Sequence, residues 1–356
     1  MANYLKGFQP PHQLELHLPS LALSTLLALR GLRSTSLSKS GAVAALVYGY
    51  VTLASPLRLF GVCLLGFYLA GSKATKVKSQ IKATFEEPEQ PSPPSTPRST
   101  ESVEKTSTAE KKERRNGGGG RRTATQVACN ALVGSIASIL WRYLYSGEFS
   151  DSAFTSTAWR QDDRWCTTER FEQGDSRGWS RVLIFAAVAF WSACCGDTFA
   201  SELGILAKQA PILITRPFSG SVPRGTNGGI TVWGLTVSAL GGVYVGALAV
   251  ICLLAQGQGQ SCSQRGVYWM IELIVVAAAS GLGGSLLDSL LGALFQPTYY
   301  STSRKLVVHS SKSLKADDDK IIKVKGTAIF GPWLSNNGVN AVMGLATSLV
   351  VAFLVK

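Results

Sequence analysis

Four short polar stretches, each at the edge of an apolar run, hold the residue types that phosphate chemistry requires. The first is Gly196-Asp197-Thr198-Phe199-Ala200-Ser201-Glu202-Leu203-Gly204, with two carboxylates close to an apolar core. Such acids are costly beside hydrocarbon unless they are paired or hold a cation, so function is the default reading. A helix cap competes with it, Asp197 standing at the N-cap position. The second is Pro223-Arg224-Gly225-Thr226-Asn227-Gly228-Gly229. Glycines let backbone amides converge on an anion ahead of a helix, and Arg224 can neutralise phosphate charge, although Asn-Gly-Gly is also an ordinary turn.

The third stretch runs from Gly281 to Gly292 and carries Asp288 and Ser289, with Asp288 the only charge between Glu272 and Arg304. Its Gly281 and Gly284 suit close helix packing. The fourth is Asn336-Asn337-Gly338-Val339-Asn340, an amide cluster that either caps a helix or lines a polar site. Magnesium-nucleotide chemistry needs carboxylates to hold a hard cation and donors to bear phosphate charge. Asp197 and Asp288 supply the first; Arg224, Asn227 and the Gly228-Gly229 amides supply the second. Glu202 offers a third ligand or a base. Ser201, Ser289, Asn336, Asn337 and Asn340 complete the candidate binding set.

The elements that must position these residues are membrane helices. Only 16% of the 356 residues are charged and 46% are hydrophobic, too little charge to solvate a globular surface. No Asp, Glu, Lys or Arg falls between Arg122 and Arg142, between Arg224 and Arg265, or between Lys325 and Lys356. Each run reaches the about 20 residues that cross a bilayer core, and each is apolar all round. The fold expected is all-α, a polytopic bundle of about eight spans. They run from Leu14 to Leu29, Ser40 to Ala54, Leu57 to Ala70, Thr123 to Leu144, Arg181 to Cys195, Ile230 to Leu254, Val267 to Ala293, and from the Asn cluster onward. Pro19 interrupts the first, which a signal sequence could imitate, but only Lys6 precedes it and no small-x-small cleavage site follows.

Three regions follow: N-terminal spans in residues 1–71, a Pro-Ser-Thr-rich disordered loop in 72–122, and a bundle with the candidate site in 123–356. Placing loops alternately puts the basic ones, Arg30 to Lys39, Gly71 to Arg122, Gly196 to Gly229 and Arg304 to Lys325, on one side, cytoplasmic by the positive-inside rule. All four polar stretches fall at that side, on the membrane of an endomembrane compartment. The +13 net charge is thereby assigned to topology, and nucleic acid is not an expected partner. Cys166 and Cys262 fall together on the opposite side, where a disulfide and two free thiols are equally open readings. Seven cysteines without a C-x-x-C pair and three scattered histidines give no metal or redox signature.

At Gly196 to Gly204, Gly225 to Thr231, Gly284 to Gln296 and Asn336 to Asn340, with Arg33 to Gly49, the chain resembles the transmembrane protein 19 family, also called domain of unknown function 92. The resemblance covers most of the chain outside the Pro-rich loop. That family includes a plant chloroplast enzyme that phosphorylates phytyl phosphate. Through the Gly-Asp, Ala-Ser, Gly pattern it is distantly similar to polyprenol kinases and cytidylyltransferases. The resemblance implies a kinase of an isoprenoid phosphate that uses Mg2+ with CTP or another nucleoside triphosphate, in contact with the lipid bilayer. The chain departs from the pattern at Phe199, where Trp is usual, and at Ser335, where an acid commonly precedes the paired Asn. Two other classes stand beside the enzyme: a non-catalytic scaffold or lipid-handling protein, and a transporter, for which no inverted repeat is evident. Oligomeric state is not legible.

Overall fold

The computed structural model describes residues 16–82, 84–85, 121–145, 178–256, 266–308 and 321–356. The helices are α1 (Leu18–Arg33), α2 (Lys39–Leu53), α3 (Leu59–Ala74), α4 (Ser79–Lys82), α5 (Ala124–Cys129), α6 (Leu132–Tyr145), α7 (Gly178–Gly204), α8 (Val232–Ala255), α9 (Tyr268–Phe295) and α10 (Asn336–Leu354). Four of them, α7 to α10, are long and apolar enough to cross a membrane. The expected spans nearer the N-terminus are shorter helices. Pro19 does not interrupt α1 but lies in its first turn, where a missing N–H costs nothing. The expected span from Thr123 to Leu144 is divided at Asn130-Ala131 into α5 and α6. Cys166 and Cys262 lie outside the described residues.

α7 is the axis of the bundle. It packs against α3, α6, α8, α9 and α10, and every residue from Ser180 to Gly196 is buried. Its all-round apolar character is what a helix surrounded by other helices needs. Phe185, Phe190 and Trp191 fill the core, with Phe60, Trp141 and Leu273 from α3, α6 and α9. One buried charge is accommodated among them: Arg181 is 1% exposed, pairs with Glu272 of α9, stacks on Phe185 and donates from Nε to the Val355 carbonyl (3.2 Å).

Where α7, α8 and α9 cross, backbone meets backbone. A Cβ on Gly196 would lie 2.4 Å from the Gly281 carbonyl, one on Gly281 would lie 2.6 Å from the Ser238 carbonyl, and one on Gly242 would lie 2.1 Å from the Ala277 carbonyl. Gly284 seats against Ala193 in the same way, 2.9 Å from its Cα. Small residues at these positions let apolar helices pack at close range.

Between the long helices, at the end where α7 and α9 finish and α8 and α10 begin, lie two small sheets that an all-α expectation omitted. β1 (Ile212–Leu213) pairs antiparallel with β2 (Gly229–Ile230), Ile212 opposite Ile230. β3 (Tyr299–Ser301) lies between β4 (Leu306–Val308) and β5 (Ile321–Lys323), antiparallel to both. Strands of two or three residues are too short to show an alternating pattern in sequence.

A carboxyl pair with an amide at the end of the bundle

The helix that carries Asp197 does not stop at Cys195, as its polar tail suggested, but continues to Gly204. Asp197 is therefore inside a helix, and the N-cap reading is excluded. It follows Gly196, whose lack of a side chain brings α7 onto α9. On α9, Gly281, Gly284 and Asp288 recur at i, i+3 and i+7, so the glycines that make the close packing and the acid share one face. The outcome is that the carboxyls of Asp197 and Asp288, both half-buried, are in hydrogen-bond contact.

A third group joins from α10. The Asn340 amide, set with its nitrogen outward, donates to Asp288 Oδ1 (3.2 Å) and to the Asn336 carbonyl (3.1 Å). Set the other way, its oxygen converges with those same two acceptors on one point. α10 is fixed by its own cap, the Ser335 hydroxyl accepting from the Gly338 amide (3.2 Å). Asn336 is exposed and Asn337 half-buried on this first turn.

The remaining predicted residues separate into neighbours and absentees. Gly228, at φ +81°, sits against the Ser289 carbonyl and Ala293, so the Pro223–Gly229 loop rests on the α9 turns that follow Asp288. A Cβ there would come within 2.5 Å of the Ala293 Cβ, and only glycine fits both the angle and the space. The Asn227 amide hydrogen goes to Thr298 Oγ1 (3.0 Å), and its side chain donates to the Pro297 carbonyl (3.4 Å). The Gly229 amide closes a turn on Thr226, leaving less of this loop free for an anion than its glycines suggested. Arg224 is engaged by the Phe85 ring, 4.8 Å from its centroid, and by the Lys208 carbonyl (2.9 Å).

Glu202 is not with the carboxyl pair. Its partner is Lys82 of α4, whose Nζ lies 2.5 Å from Oε2 and also donates to the Ala74 carbonyl (2.8 Å) at the end of α3. Ser201 is exposed and donates to the Thr198 carbonyl (3.1 Å) within its own helix. Lys82 belongs to the segment expected to be a disordered loop; its described first part instead folds onto α7.

Arg122 is the residue that sequence reasoning missed. Its backbone is tied between Ser36 and Ser38, and its half-buried guanidinium lies 5.8 Å from the centre of the Tyr68 ring. Burial lowers its pKa from the ordinary arginine value, with Tyr68 and Glu202 pulling the other way. No periodic or motif signal marks it, because an arginine at the end of a basic loop is explained by topology alone.

The donor set at the pair suits a hard cation. Two carboxylates in contact repel unless a proton or a cation lies between them. The oxygens of Asp197 and Asp288 are the kind Mg2+ takes when phosphates and water complete its shell, with the Asn340 amide donating to Asp288. Among the described residues no group of three or more His, Cys, Asp or Glu assembles.

The integral membrane protein family DUF92 matches residues 22–348. The chain belongs to that family. Protein PGR of Arabidopsis thaliana is 30% identical over 335 residues, 94% of each chain. An uncharacterized membrane protein of Methanocaldococcus jannaschii is 32% identical over 118 residues, 33% of this chain and 41% of that one. No solved structure matches.

Proposed function

We propose that this DUF92 protein is a Mg2+-dependent kinase that transfers phosphoryl from CTP or another nucleoside triphosphate to an isoprenoid phosphate. The observation that carries the reading is the Asp197–Asp288 contact with Asn340 against it, three oxygen-bearing side chains from three helices at one end of a membrane bundle. Phosphoryl transfer is chiefly positioning and charge neutralisation, and an acid pair next to lipid serves both needs.

Asp197 and Asp288 would hold the cation, which would supply positive charge to offset that of the nucleotide phosphates. Asn340 orients Asp288, and the loop at Gly228 walls the site on the side of Ser289. The lipid's chain stays among the helices while its head reaches the pair. The reading includes eight crossings, counting α1, α2, α3 and the α5–α6 unit with α7 to α10. It places the site and the Pro-rich loop on the cytoplasmic face of an endomembrane.

The test is transfer from labelled CTP, ATP, GTP and UTP to prenyl monophosphates by the purified protein in lipid nanodiscs, with Asp197→Asn and Asp288→Asn as controls. Transfer that both variants abolish is the expected result. Absence of both transfer and nucleotide binding overturns the reading and leaves a non-catalytic lipid-handling protein.

A further inference from the structure

Among the described residues, four large apolar side chains project from the end of the bundle that carries the two sheets. Phe218 is 101% exposed, Trp333 77%, Phe330 62% and Ile329 49%. All four sit on hydrogen-bonded turns. The Arg216 amide donates to the Leu213 carbonyl (2.9 Å) and the Ser219 amide to the Arg216 carbonyl (3.1 Å), which sets the turn that presents Phe218. The Gly331 amide donates to the Ala328 carbonyl (3.2 Å), and the Trp333 indole N–H to the Phe330 carbonyl.

These turns meet. Gly326, at φ +90°, lies against β1 and the turn that follows it, where a Cβ would be 2.7 Å from Leu213 Cδ2 and 3.3 Å from Arg216 Cδ. Arg216 is thereby placed beside the Lys325-Gly326 turn, just ahead of Ile329 and Phe330. Both bases are exposed. No Asp or Glu occurs between Glu202 and Glu272 or after Asp319, so neither segment carries an acid to offset them. The positive-inside rule accounts for bases on this side, but not for their position against exposed aromatic rings.

The depth of the patch follows from the helices it adjoins. The Phe330 amide donates to the Leu294 carbonyl (3.0 Å) in the last turn of α9, and its ring lies 5.9 Å from that of Phe295. Trp333 shortly precedes Asn336, the first residue of α10. Both helices are long and apolar enough to cross a membrane, so the patch stands where hydrocarbon gives way to head groups. Aromatic rings are enriched at that level, and an exposed apolar patch there is covered by lipid.

We propose that this patch is an interfacial anchor selective for anionic phospholipids. Phe330, Trp333 and Phe218 enter the head-group layer, and Arg216 with Lys325 binds the negative head groups. The inference is independent of the proposed reaction. It bears on the candidate site through one chain of contacts: Thr327 Oγ1 accepts from the Thr298 amide (3.2 Å), and Thr298 Oγ1 accepts from the Asn227 amide (3.0 Å) of the loop that rests on α9.

The test uses the full chain with photoreactive benzoylphenylalanine in place of Phe218, Phe330 or Trp333, in nanodiscs of equimolar phosphatidylcholine and phosphatidylglycerol. Leu349, 60% exposed and well inside α10, carries the same probe as the reference for lipid around the spans. Mass spectrometry identifies the adducts. Lipid adducts are expected at all three positions, with a phosphatidylglycerol-to-phosphatidylcholine ratio about fivefold above the Leu349 reference, the preference that one base near a membrane surface supplies. Arg216→Gln with Lys325→Gln should return that ratio to the reference while the Trp333 position still labels lipid. Salt at about 1 M should do the same to the parent chain, which separates charge from any change in folding.

A position that labels no lipid while Leu349 does is removed from the anchor, and failure of all three overturns it. Adducts to a second copy of the chain would make the patch a self-association surface instead. A parent ratio equal to the reference overturns the selectivity for anionic lipid. A raised ratio that neither the double substitution nor salt lowers overturns the part given to Arg216 and Lys325. None of these outcomes depends on phosphoryl transfer.

Discussion

Asp197 of α7 and Asp288 of α9 meet carboxyl to carboxyl just beyond the point where Gly196 and Gly281 bring the two helix backbones together. Two like charges in contact gain nothing for folding, and their repulsion is relieved when either becomes an amide. Asp197→Asn and Asp288→Asn are therefore expected to unfold at the same temperature as the parent or higher. Each should lose more than about a hundredfold in phosphoryl transfer, exceeding the about 10–100-fold expected of an orienting partner such as Asn340→Ala. Thermal unfolding and initial rates on the same preparations check both halves. A transfer rate within tenfold of the parent in either Asp variant removes the pair from the chemistry.

Close packing at the crossing makes a second prediction with its own control. Gly281→Ala puts a methyl 2.6 Å from the Ser238 carbonyl and 2.8 Å from the Gly242 amide nitrogen, and backbone cannot yield as a flexible side chain can. Overpacking of this kind costs about 1–3 kcal/mol. Gly283, on the same helix, is exposed and has nothing within 4 Å of a Cβ. Gly283→Ala should leave the unfolding midpoint unchanged. Equal midpoints for the two variants would contradict the backbone contact.

Much of this arrangement was legible before any coordinates. Asp288 stands alone in a long uncharged stretch, and that isolation marked it. Asp197 and the Asn336–Asn340 cluster were linked to it because lysine and arginine placement put all of them at one end. Pairing was not legible for Glu202, whose partner Lys82 sits across the chain in a segment of loop-like composition. Arg122 escaped notice for the same reason, since a basic residue in a basic loop asks for no further explanation. The length of α7 was misjudged because Asp197, Thr198, Ser201 and Glu202 look like the start of a loop; a helix shielded by neighbours and a lysine carries them through to Gly204.

The Lys82–Glu202 ion pair should behave as a partly buried one, with side chains 13% and 27% exposed. Lys82→Met alone leaves Glu202 charged without its partner, a loss of about 1–3 kcal/mol after allowing for solvent screening. Adding Glu202→Gln should recover most of that loss. A double-mutant cycle by chemical denaturation in nanodiscs measures the coupling, and additive single effects would show that the pair has none. Retention of phosphoryl transfer in the double variant is also expected, since Glu202 lies apart from the carboxyl pair.

At the opposite end, the His17 ring caps α1, its Nδ1 accepting from the Ser20 amide (3.3 Å). Burial, with Arg142 and Arg58 adding to it, lowers His17 below the ordinary histidine value. A base depressed in the folded state is neutral where the unfolded chain is already protonated. Its contribution to stability is therefore full above the ordinary value near 6.5 and is lost as pH falls through the lower folded value. Hydrogen-exchange protection in the first turn of α1 should drop on acidification in the parent and stay level in His17→Asn, which caps without titrating. Identical pH profiles would dismiss the ring as the cause.

Ser335 offers the most direct link between the cap of α10 and the proposed cation. It accepts from the Gly338 amide at the N-cap, a position where Asp performs equally well, and a negative charge there favours the helix by about 0.3–1 kcal/mol. Ser335→Asp should therefore be neutral or mildly stabilising whatever the protein does. Its functional effect is separate. Ser335 precedes Asn336, whose carbonyl shares the Asn340 amide with Asp288, so the added carboxylate lies within a helical turn of the carboxyl pair. If that pair holds Mg2+, the half-saturating Mg2+ concentration for transfer should fall in Ser335→Asp while the nucleotide concentration dependence at saturating Mg2+ stays constant. A stabilised variant with an unchanged Mg2+ requirement would confine Ser335 to capping and place the cation away from the start of α10.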